Sequence, residues 1–182
     1  MGETMGLGTM HDILAMGARA GELLKARGET IAIGETSAGG LISASLLAVT
    51  GASAYFQGGA ITYARPSITG LAGISVEEMR AKGIRSSSEP YALMLAKAIR
   101  ERLAHERPAG VTWGLSETGA AGPNGNPYGD ASGHTCMAVV GDNFEVVRTL
   151  ETGVEDRVAN MWAFAEATLA LLVEVLETAH AA

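Results

Sequence analysis

The sequence predicts an α/β fold, a three-layer α/β/α single domain with a mixed, mainly parallel sheet. Strand-like and helix-like segments alternate along most of the chain, an order typical of parallel strands joined by helices. Residues 135–140 and 144–149 instead read as two strands joined by the turn sequence Gly-Asp-Asn, which predicts one antiparallel hairpin. At 182 residues the chain is most simply one domain with a substantial core.

Apolar periodicity and end signals place the individual elements. The predicted strands cover residues 31–34, 55–64, 111–118, 135–140 and 144–149. The predicted helices cover residues 12–27, 40–50, 75–83, 86–105 and 152–178. Asp12 is the expected cap of the first helix, and capping-box sequences at Ser75, Ser86 and Thr152 open three of the others. Residues 1–9 are predicted to be a flexible N-terminus, and residues 10–182 the folded domain.

The composition of the chain argues against several classes of partner and location. A net charge of −7 argues against nucleic acid or an acidic membrane surface as a partner. The single cysteine, Cys136, fits a reducing compartment, and the first residues lack the basic segment of a secretory signal. Glu166, Glu174 and Glu177 interrupt the longest apolar run, so no membrane span is expected. We therefore expect a cytoplasmic protein, and its apolar fraction of 47% favours a homo-oligomer.

One stretch stands out, the strand Ile31–Gly34 followed by the polar elbow Glu35-Thr36-Ser37-Ala38-Gly39-Gly40 and a helix. The elbow places the Thr36 and Ser37 hydroxyls where a strand ends and a helix begins. Free backbone N–H groups at a helix start can bind a phosphate, a carboxylate or a developing oxyanion. Gly39 and Gly40 lack side chains and would let a ligand approach the backbone. The alternative is an ordinary strand–turn–helix connection.

Three separated stretches together resemble the CinA C-terminal domain family, whose enzymes are nicotinamide-mononucleotide deamidases. They are the elbow at residues 35–40, where the family usually reads Glu-Ser-Cys-Thr-Gly-Gly, residues 51–63, and Thr-Gly-Ala-Ala-Gly-Pro at residues 118–123. Their order and spacing agree with the family from about residue 10 to the C-terminus. The resemblance implies a small α/β/α domain that hydrolyses the carboxamide of a nicotinamide nucleotide, with neither a metal nor a cofactor.

The resemblance also assigns roles, and two positions depart from the family. The family's nucleophilic serine falls on Thr36, while Ser37 replaces its cysteine and is the alternative nucleophile. The family's lysine base falls on Ile68, which cannot accept a proton. Tyr63 matches the family's tyrosine and is a candidate to hydrogen-bond the substrate, and Thr118 matches the threonine that assists catalysis.

Three residues are candidates to replace the missing base. Glu35 adjoins the elbow and could act as a base if burial favoured its protonated form, although it could equally hydrogen-bond the neighbouring backbone. Glu117 precedes Thr118 and could add a carboxylate to the site, unless strand alternation aims it away. His134 begins the strand after the glycine-rich loop, and histidine is the usual base near neutral pH. Its alternative role is structural.

Several further residues are candidates to bind the substrate. Arg65 is better suited to bind an anion than to accept a proton, because a guanidinium stays protonated. Arg157 resembles the arginine of the family's Gly-Asp-Arg helix start, and its alternative role is a surface ion pair. Gly119, Ala120 and Gly122 open a predicted loop, and a loop so rich in Gly, Asn and Pro is often functional.

The sequence therefore supports two functions. One is a metal-independent hydrolase of a C–N bond in a small amide, lactam or imine-like molecule, which uses a base different from the family's lysine. The other is a catalytically silent paralogue that retains a pocket for a small molecule or a nucleotide. No metal site is predicted, because the histidines and Cys136 lack the spacing of metal ligands.

Overall fold

The computed structural model describes residues 9–105 and 109–179. The strands are β1 (Ile31–Glu35), β2 (Phe56–Ile61), β3 (Trp113–Ala120), β4 (His134–Val140) and β5 (Glu145–Glu151). The helices are α1 (Met10–Arg27), α2 (Leu41–Leu47), α3 (Arg65–Gly70), α4 (Val76–Ala81), α5 (Glu89–Ala104) and α6 (Arg157–Thr178). A short 3₁₀ helix covers Ala52–Ala54.

The five strands form one sheet in the order β2-β1-β3-β4-β5. β1 pairs in parallel with both β2 and β3, whereas the β3–β4 and β4–β5 pairs are antiparallel. Four strands therefore run in one direction and β4 alone runs in the other. The predicted mixed, mainly parallel sheet is confirmed, and so is the hairpin, which closes through a bond from Gly141 N to Phe144 O.

Helices cover both faces of the sheet, which confirms the three layers. Ile31 and Ile33 of β1 pack with α1, α2 and α6 in the largest hydrophobic cluster. Ala32, between them in β1, points to the other face and packs with Ile99 of α5. This alternation is the ordinary consequence of a strand buried on both sides.

The β1–β3 pairing fixes the position of the elbow. Gly34 of β1 lies opposite Ser116 of β3 in parallel register. The next residues, Glu35 and Thr36 on one strand and Glu117 and Thr118 on the other, therefore reach the same edge of the sheet. Ligand sites of α/β sheets lie at this carboxyl edge of the parallel strands.

Three helix starts differ from the prediction. The helix expected to open at Ser86 is α5, which begins after the cap Ser88. Thr9 rather than Asp12 caps α1, and Asp12 is the other member of its capping box. Residues 1–8 of the predicted flexible N-terminus lie outside the described residues. α6 begins after the cap Asp156 rather than at Thr152, because the Thr152 hydroxyl instead donates to Asn160 Oδ1 at 2.6 Å.

The C-terminal helix α6 is long and apolar enough to cross a membrane by length and composition alone. The expectation that its glutamates rule out such a stretch is therefore wrong. In the structure it is a core helix, whose Leu169 and Leu172 are fully buried in the main cluster. Two of its glutamates, Glu174 and Glu177, pair on the outer side with arginines of β5 and α1.

Gly17 allows α1 and α2 to approach closely, and we predict that Gly17→Ala destabilises the domain. A Cβ at this position would lie 2.5 Å from the Ser45 carbonyl oxygen, a backbone atom that cannot move aside cheaply. Overpacking of this kind costs about 1–3 kcal/mol, which exceeds the gain in helix propensity of about 1 kcal/mol or less. Thermal and urea unfolding measure the change.

The matched control is Gly70→Ala in α3, where a Cβ would meet no atom within 4 Å. Its stability should equal or slightly exceed that of the original chain, since alanine favours a helix. A Gly17→Ala protein as stable as the Gly70→Ala protein would show that the α1–α2 contact is looser than described.

Candidate active site

Glu35, the last residue of β1, binds the start of α2. Its carboxylate accepts hydrogen bonds from the backbone N–H groups of Gly40 (2.9 Å), Ile42 (3.2 Å) and Ser43 (3.1 Å), and from the Ser43 hydroxyl (2.6 Å). The side chain is fully buried. Both oxygens are thus occupied by the helix start, which supports the structural role for Glu35 over that of a base.

This arrangement corrects the expectation that the elbow offers free N–H groups to an anionic ligand. The chain's own carboxylate already takes the positive end of α2. The backbone conformation explains the two elbow glycines. Gly39 and Gly40 have φ values of +67° and +102°, which residues other than glycine rarely adopt. A Cβ on Gly39 would also lie 2.9 Å from the Met161 side chain of α6.

Glu117, on β3, lies directly beneath the elbow. Its Oε2 accepts hydrogen bonds from the backbone N–H groups of Thr36 at 3.1 Å and Ala38 at 2.8 Å. Its Oε1 accepts hydrogen bonds from the hydroxyls of Ser37 and Thr135. One carboxylate oxygen therefore holds the backbone of the elbow, and the other faces two hydroxyl groups.

Burial raises the pKa of the Glu117 carboxyl, which is fully enclosed. Loss of hydration disfavours the charged form, and the carboxylate of Glu35 adds repulsion, while the bonds from Ser37, Thr36 and Ala38 oppose both effects. A carboxylate whose pKa is raised is a better proton acceptor than one in water. The bond from the Ser37 hydroxyl to Glu117 therefore joins a hydroxyl group to a carboxylate that could accept its proton.

The three sequence stretches that point to one family meet around the elbow. The half-buried Thr36 places its hydroxyl 3.5 Å from that of Thr62, next to Tyr63 at the end of the second stretch. Arg157, the first residue of α6, donates to the Tyr63 hydroxyl at 3.1 Å and to the Gly122 carbonyl oxygen at 2.8 Å. Arg157 thus connects the second and third stretches beside the elbow.

Thr118 points to the opposite face of the sheet from Glu117, as strand alternation requires. Its hydroxyl accepts a hydrogen bond from Ser87 N at 3.3 Å. Ser87 has a φ of 55° and, within the described residues, is alone among non-glycine residues in having a positive φ. This strained backbone is fixed from a second side by the ring of His134, which binds the Ser87 carbonyl oxygen at 2.9 Å.

His134 does not have the geometry of a general base. Its Nδ1 lies 2.5 Å from the Glu151 carboxylate and its Nε2 faces the Ser87 carbonyl, so both nitrogens must carry protons to donate. Burial alone would lower the pKa of His134, but Glu151, the Ser87 carbonyl and Asp130 outweigh burial and raise it. This geometry favours the structural alternative for His134, whose ring holds Ser87, over the role of a base.

The predicted glycine loop begins later than the sequence indicated. Gly119 and Ala120 belong to β3 and pair with Thr135 and His134 of β4. A Cβ on Gly119 would lie 2.4 Å from the His134 carbonyl oxygen, so the close strand contact accounts for this glycine. Gly119 and Ala120 are thus strand residues rather than loop residues, and their assignment to substrate binding stays a prediction, whereas Gly122 lies in the loop.

Ile68, which the resemblance aligns with the family's lysine, is part of an apolar cluster. It lies in α3, is 6% exposed and packs against Met79 of α4 and against Tyr91 and Leu95 of α5. Arg65, at the start of the same helix, is exposed beside this cluster. Within residues 9–105 and 109–179, no three His, Cys, Asp or Glu side chains are grouped so that they could hold a metal ion.

Sequence reasoning missed several residues that position the site. Asn160 donates from α6 to the carbonyl oxygens of Ala121 and Val154 and thereby fixes the end of the loop. An asparagine in an otherwise apolar helix was a signal that could have identified it. Ser87 and Glu151 gave no such signal, because their roles depend on contacts with His134 across 47 and 17 residues of sequence.

Comparison with known proteins agrees with this geometry. The CinA C-terminal domain family matches residues 14–176 of the chain. A CinA-like protein of Trichormus variabilis is 36% identical over 139 residues, which is 76% of this chain and 31% of that protein. A CinA-like protein of Anaeromyxobacter sp. strain K is 37% identical over 142 residues, 78% of this chain and 33% of its own length. The chain thus spans about a third of these relatives.

Solved structures share the fold. A CinA superfamily protein of Klebsiella pneumoniae superposes with a TM-score of 0.79 at 21% identity, and the match covers 91% of this chain and 98% of that one. The competence/damage-inducible protein CihA of Agrobacterium tumefaciens gives 0.77 at 22% identity, with 90% and 95% covered. Sequence match, motif order and fold agree, and the chain belongs to the CinA C-terminal domain family.

Proposed function

We propose that the chain hydrolyses a C–N bond in a small amide, lactam or imine-like molecule, with Ser37 as nucleophile and Glu117 as base. The hydrogen bond from the Ser37 hydroxyl to the Glu117 carboxylate carries this proposal. This contact provides the elbow with a base, and that base lies at a different place from the family's lysine. The partner is a small-molecule substrate. Self-association and a cytoplasmic location stay predictions from composition.

The chemistry needs only these two groups and water. Glu117 Oε1 accepts the Ser37 proton as Ser37 Oγ forms a bond to the carbonyl carbon of an amide. When the C–N bond breaks, the same proton passes to the leaving nitrogen. Water then hydrolyses the resulting ester, giving the acid and restoring Ser37. Glu117 Oε2 stays bound to Thr36 N and Ala38 N throughout, so the elbow keeps its shape.

Glu117 is the best placed of the three candidate bases. Both oxygens of Glu35 are bound to the start of α2, and both nitrogens of His134 face acceptors. Glu117 alone among them directly contacts a hydroxyl of the elbow dipeptide Thr36-Ser37. The assignment also gives Ser37, rather than Thr36, the role of nucleophile.

A fluorophosphonate probe tests the nucleophile without knowledge of the substrate, since it reacts with activated serines. We predict labelling at Ser37, located by peptide mass spectrometry. Ser37→Ala should abolish the labelling, and Glu117→Gln should slow it by about 10²–10⁴-fold because an amide cannot accept the proton. Glutamine keeps the shape and can still accept the backbone N–H bonds.

Thr36→Val is the matched control, since it removes the neighbouring hydroxyl and leaves Ser37 and Glu117 unchanged. It should retain most of the labelling. Loss of labelling in Thr36→Val together with its retention in Ser37→Ala would transfer the nucleophile to Thr36. Thermal melting of each variant separates loss of chemistry from loss of folding.

A binding protein without catalysis is the second candidate, and the burial of the elbow favours it. Ser37 is only 4% exposed, and an aliphatic residue, Ile68, occupies the position of the family's lysine. A thermal-shift screen with ammonia detection separates the two functions. Stabilisation by nicotinamide mononucleotide without ammonia release supports the binding protein, whereas ammonia release from any small amide supports the hydrolase.

Activity on nicotinamide mononucleotide itself should be at least about 100-fold below that of an ordinary family member. General-base assistance contributes about 10²–10⁴-fold, and a base at Glu117 acts from a different direction than one at position 68. The measurement is ammonia release by the original chain and by Thr36→Ser/Ile68→Lys. Deamidation by the original chain at the family's ordinary rate would refute the interpretation of Ile68 as a lost base.

A further inference from the structure

A cavity of about 220 Å³ lies between α3, α4 and the segment that precedes α5. Its inner wall is apolar and includes Ile68, Met79 and Ile84. Ile68 and Met79 are 6% and 4% exposed, so they form a fixed floor. For scale, an apolar cavity of about 150 Å³ in another protein accommodates benzene. The space is therefore sufficient for a small ring or a short branched chain.

Three arginines, Arg65, Arg80 and Arg85, also line this cavity, and no acidic residue of the described ranges does. The Arg85 guanidinium binds both oxygens of Asp130, with one bond of 2.8 Å, and lies 5.9 Å from the centre of the Tyr128 ring. Its charge is thus compensated and its position fixed. Asp130 is stabilised as a carboxylate in turn, since Arg85 lowers its pKa.

Arg65 and Arg80 are different, because neither forms an ion pair with a carboxylate within the described parts of the chain. Two uncompensated positive charges therefore flank an apolar cavity in a protein whose net charge is −7. Guanidinium groups bind carboxylates and phosphates through paired N–H donors. A cavity with an apolar floor and a cationic rim suits a ligand with both properties.

We propose that this cavity binds a small molecule with an apolar body and one anionic group, a carboxylate or a phosphate, held by Arg65 and Arg80. Two chain segments connect the cavity with residues described in the candidate site. Arg65 follows Tyr63 by two residues, and Ser86, which lines the cavity, precedes the Ser87 that binds Thr118. As a subsite for the substrate it rests on the proposed function, but binding of the anion requires no hydrolysis.

Isothermal titration tests this site with benzoate, phenyl phosphate, benzyl alcohol and inorganic phosphate. Benzoate or phenyl phosphate should bind, and whichever binds more tightly identifies the anionic group. Benzyl alcohol, which has the ring without the charge, and inorganic phosphate, which has the charge without the ring, should each bind at least about tenfold more weakly.

Arg65→Gln and Arg80→Gln should each weaken the binding of the better probe by about tenfold. The matched control is Arg19→Gln. It removes the same charge from α1, where Arg19 forms an ion pair with Glu177 of α6, and it should leave binding unchanged. Equal weakening by Arg19→Gln would overturn the proposal, because net charge alone would then account for the affinity.

The proposal is also overturned if neither aromatic anion binds up to about 10 mM, or if benzyl alcohol binds as tightly as they do. Fluorophosphonate labelling of the original chain distinguishes this result from a failure of the proposed function. Retained binding with no Ser37 labelling in the original chain would refute the hydrolase and leave the anion site in place. Labelled Ser37 without anion binding would refute the site alone.

Discussion

The structure of the site depends on one buried carboxylate. Parallel pairing of β1 and β3 brings Glu117 level with the elbow, and burying a charge there is costly unless it is hydrogen-bonded. The elbow supplies three donors, Thr36 N, Ala38 N and the Ser37 hydroxyl, and Thr135 supplies a fourth. The elbow therefore stabilises the carboxylate, and the carboxylate fixes the elbow. Loss of the carboxylate would leave the three elbow donors without this acceptor, and loss of the elbow would leave the buried carboxylate with Thr135 alone among these donors.

A second buried carboxylate, Glu35, explains why the start of α2 is not an anion site in this chain. It binds three helix N–H groups and thereby places a negative charge near Glu117, which contributes to the raised pKa of Glu117. A substrate anion placed at the elbow would meet two carboxylates. The uncompensated arginines, Arg65 and Arg80, lie instead beside the cavity formed by α3 and α4. The proposed reaction site and the proposed anion site thus differ in charge.

The fold could be predicted from sequence because its signals are local or repeated. Apolar periodicity and the Gly-Asp-Asn turn gave the layers and the hairpin, and the alternative role for Glu35 followed from the neighbouring backbone. The contacts that decide the chemistry are not local. Ser37 and Glu117 are 80 residues apart, and His134 meets Ser87 across 47 residues. Even the cap of α1 is three residues from the expected one, since Thr9 caps the helix and the predicted Asp12 completes its capping box.

Titration of the Glu117 carboxyl by carbon NMR tests the account most directly, with Glu117→Gln used to assign the signal. We predict a pKa above the ordinary value of 4.5, because burial disfavours the charged form. The folded chain then binds the Glu117 proton more tightly than the unfolded chain does. The contribution of Glu117 to stability is therefore greatest below pH 4.5. The unfolding free energy of the original chain, relative to Glu117→Gln, should therefore fall as pH rises through the measured pKa. A pKa at or below 4.5 would make Glu117 a fixed structural anion and contradict its role as the base.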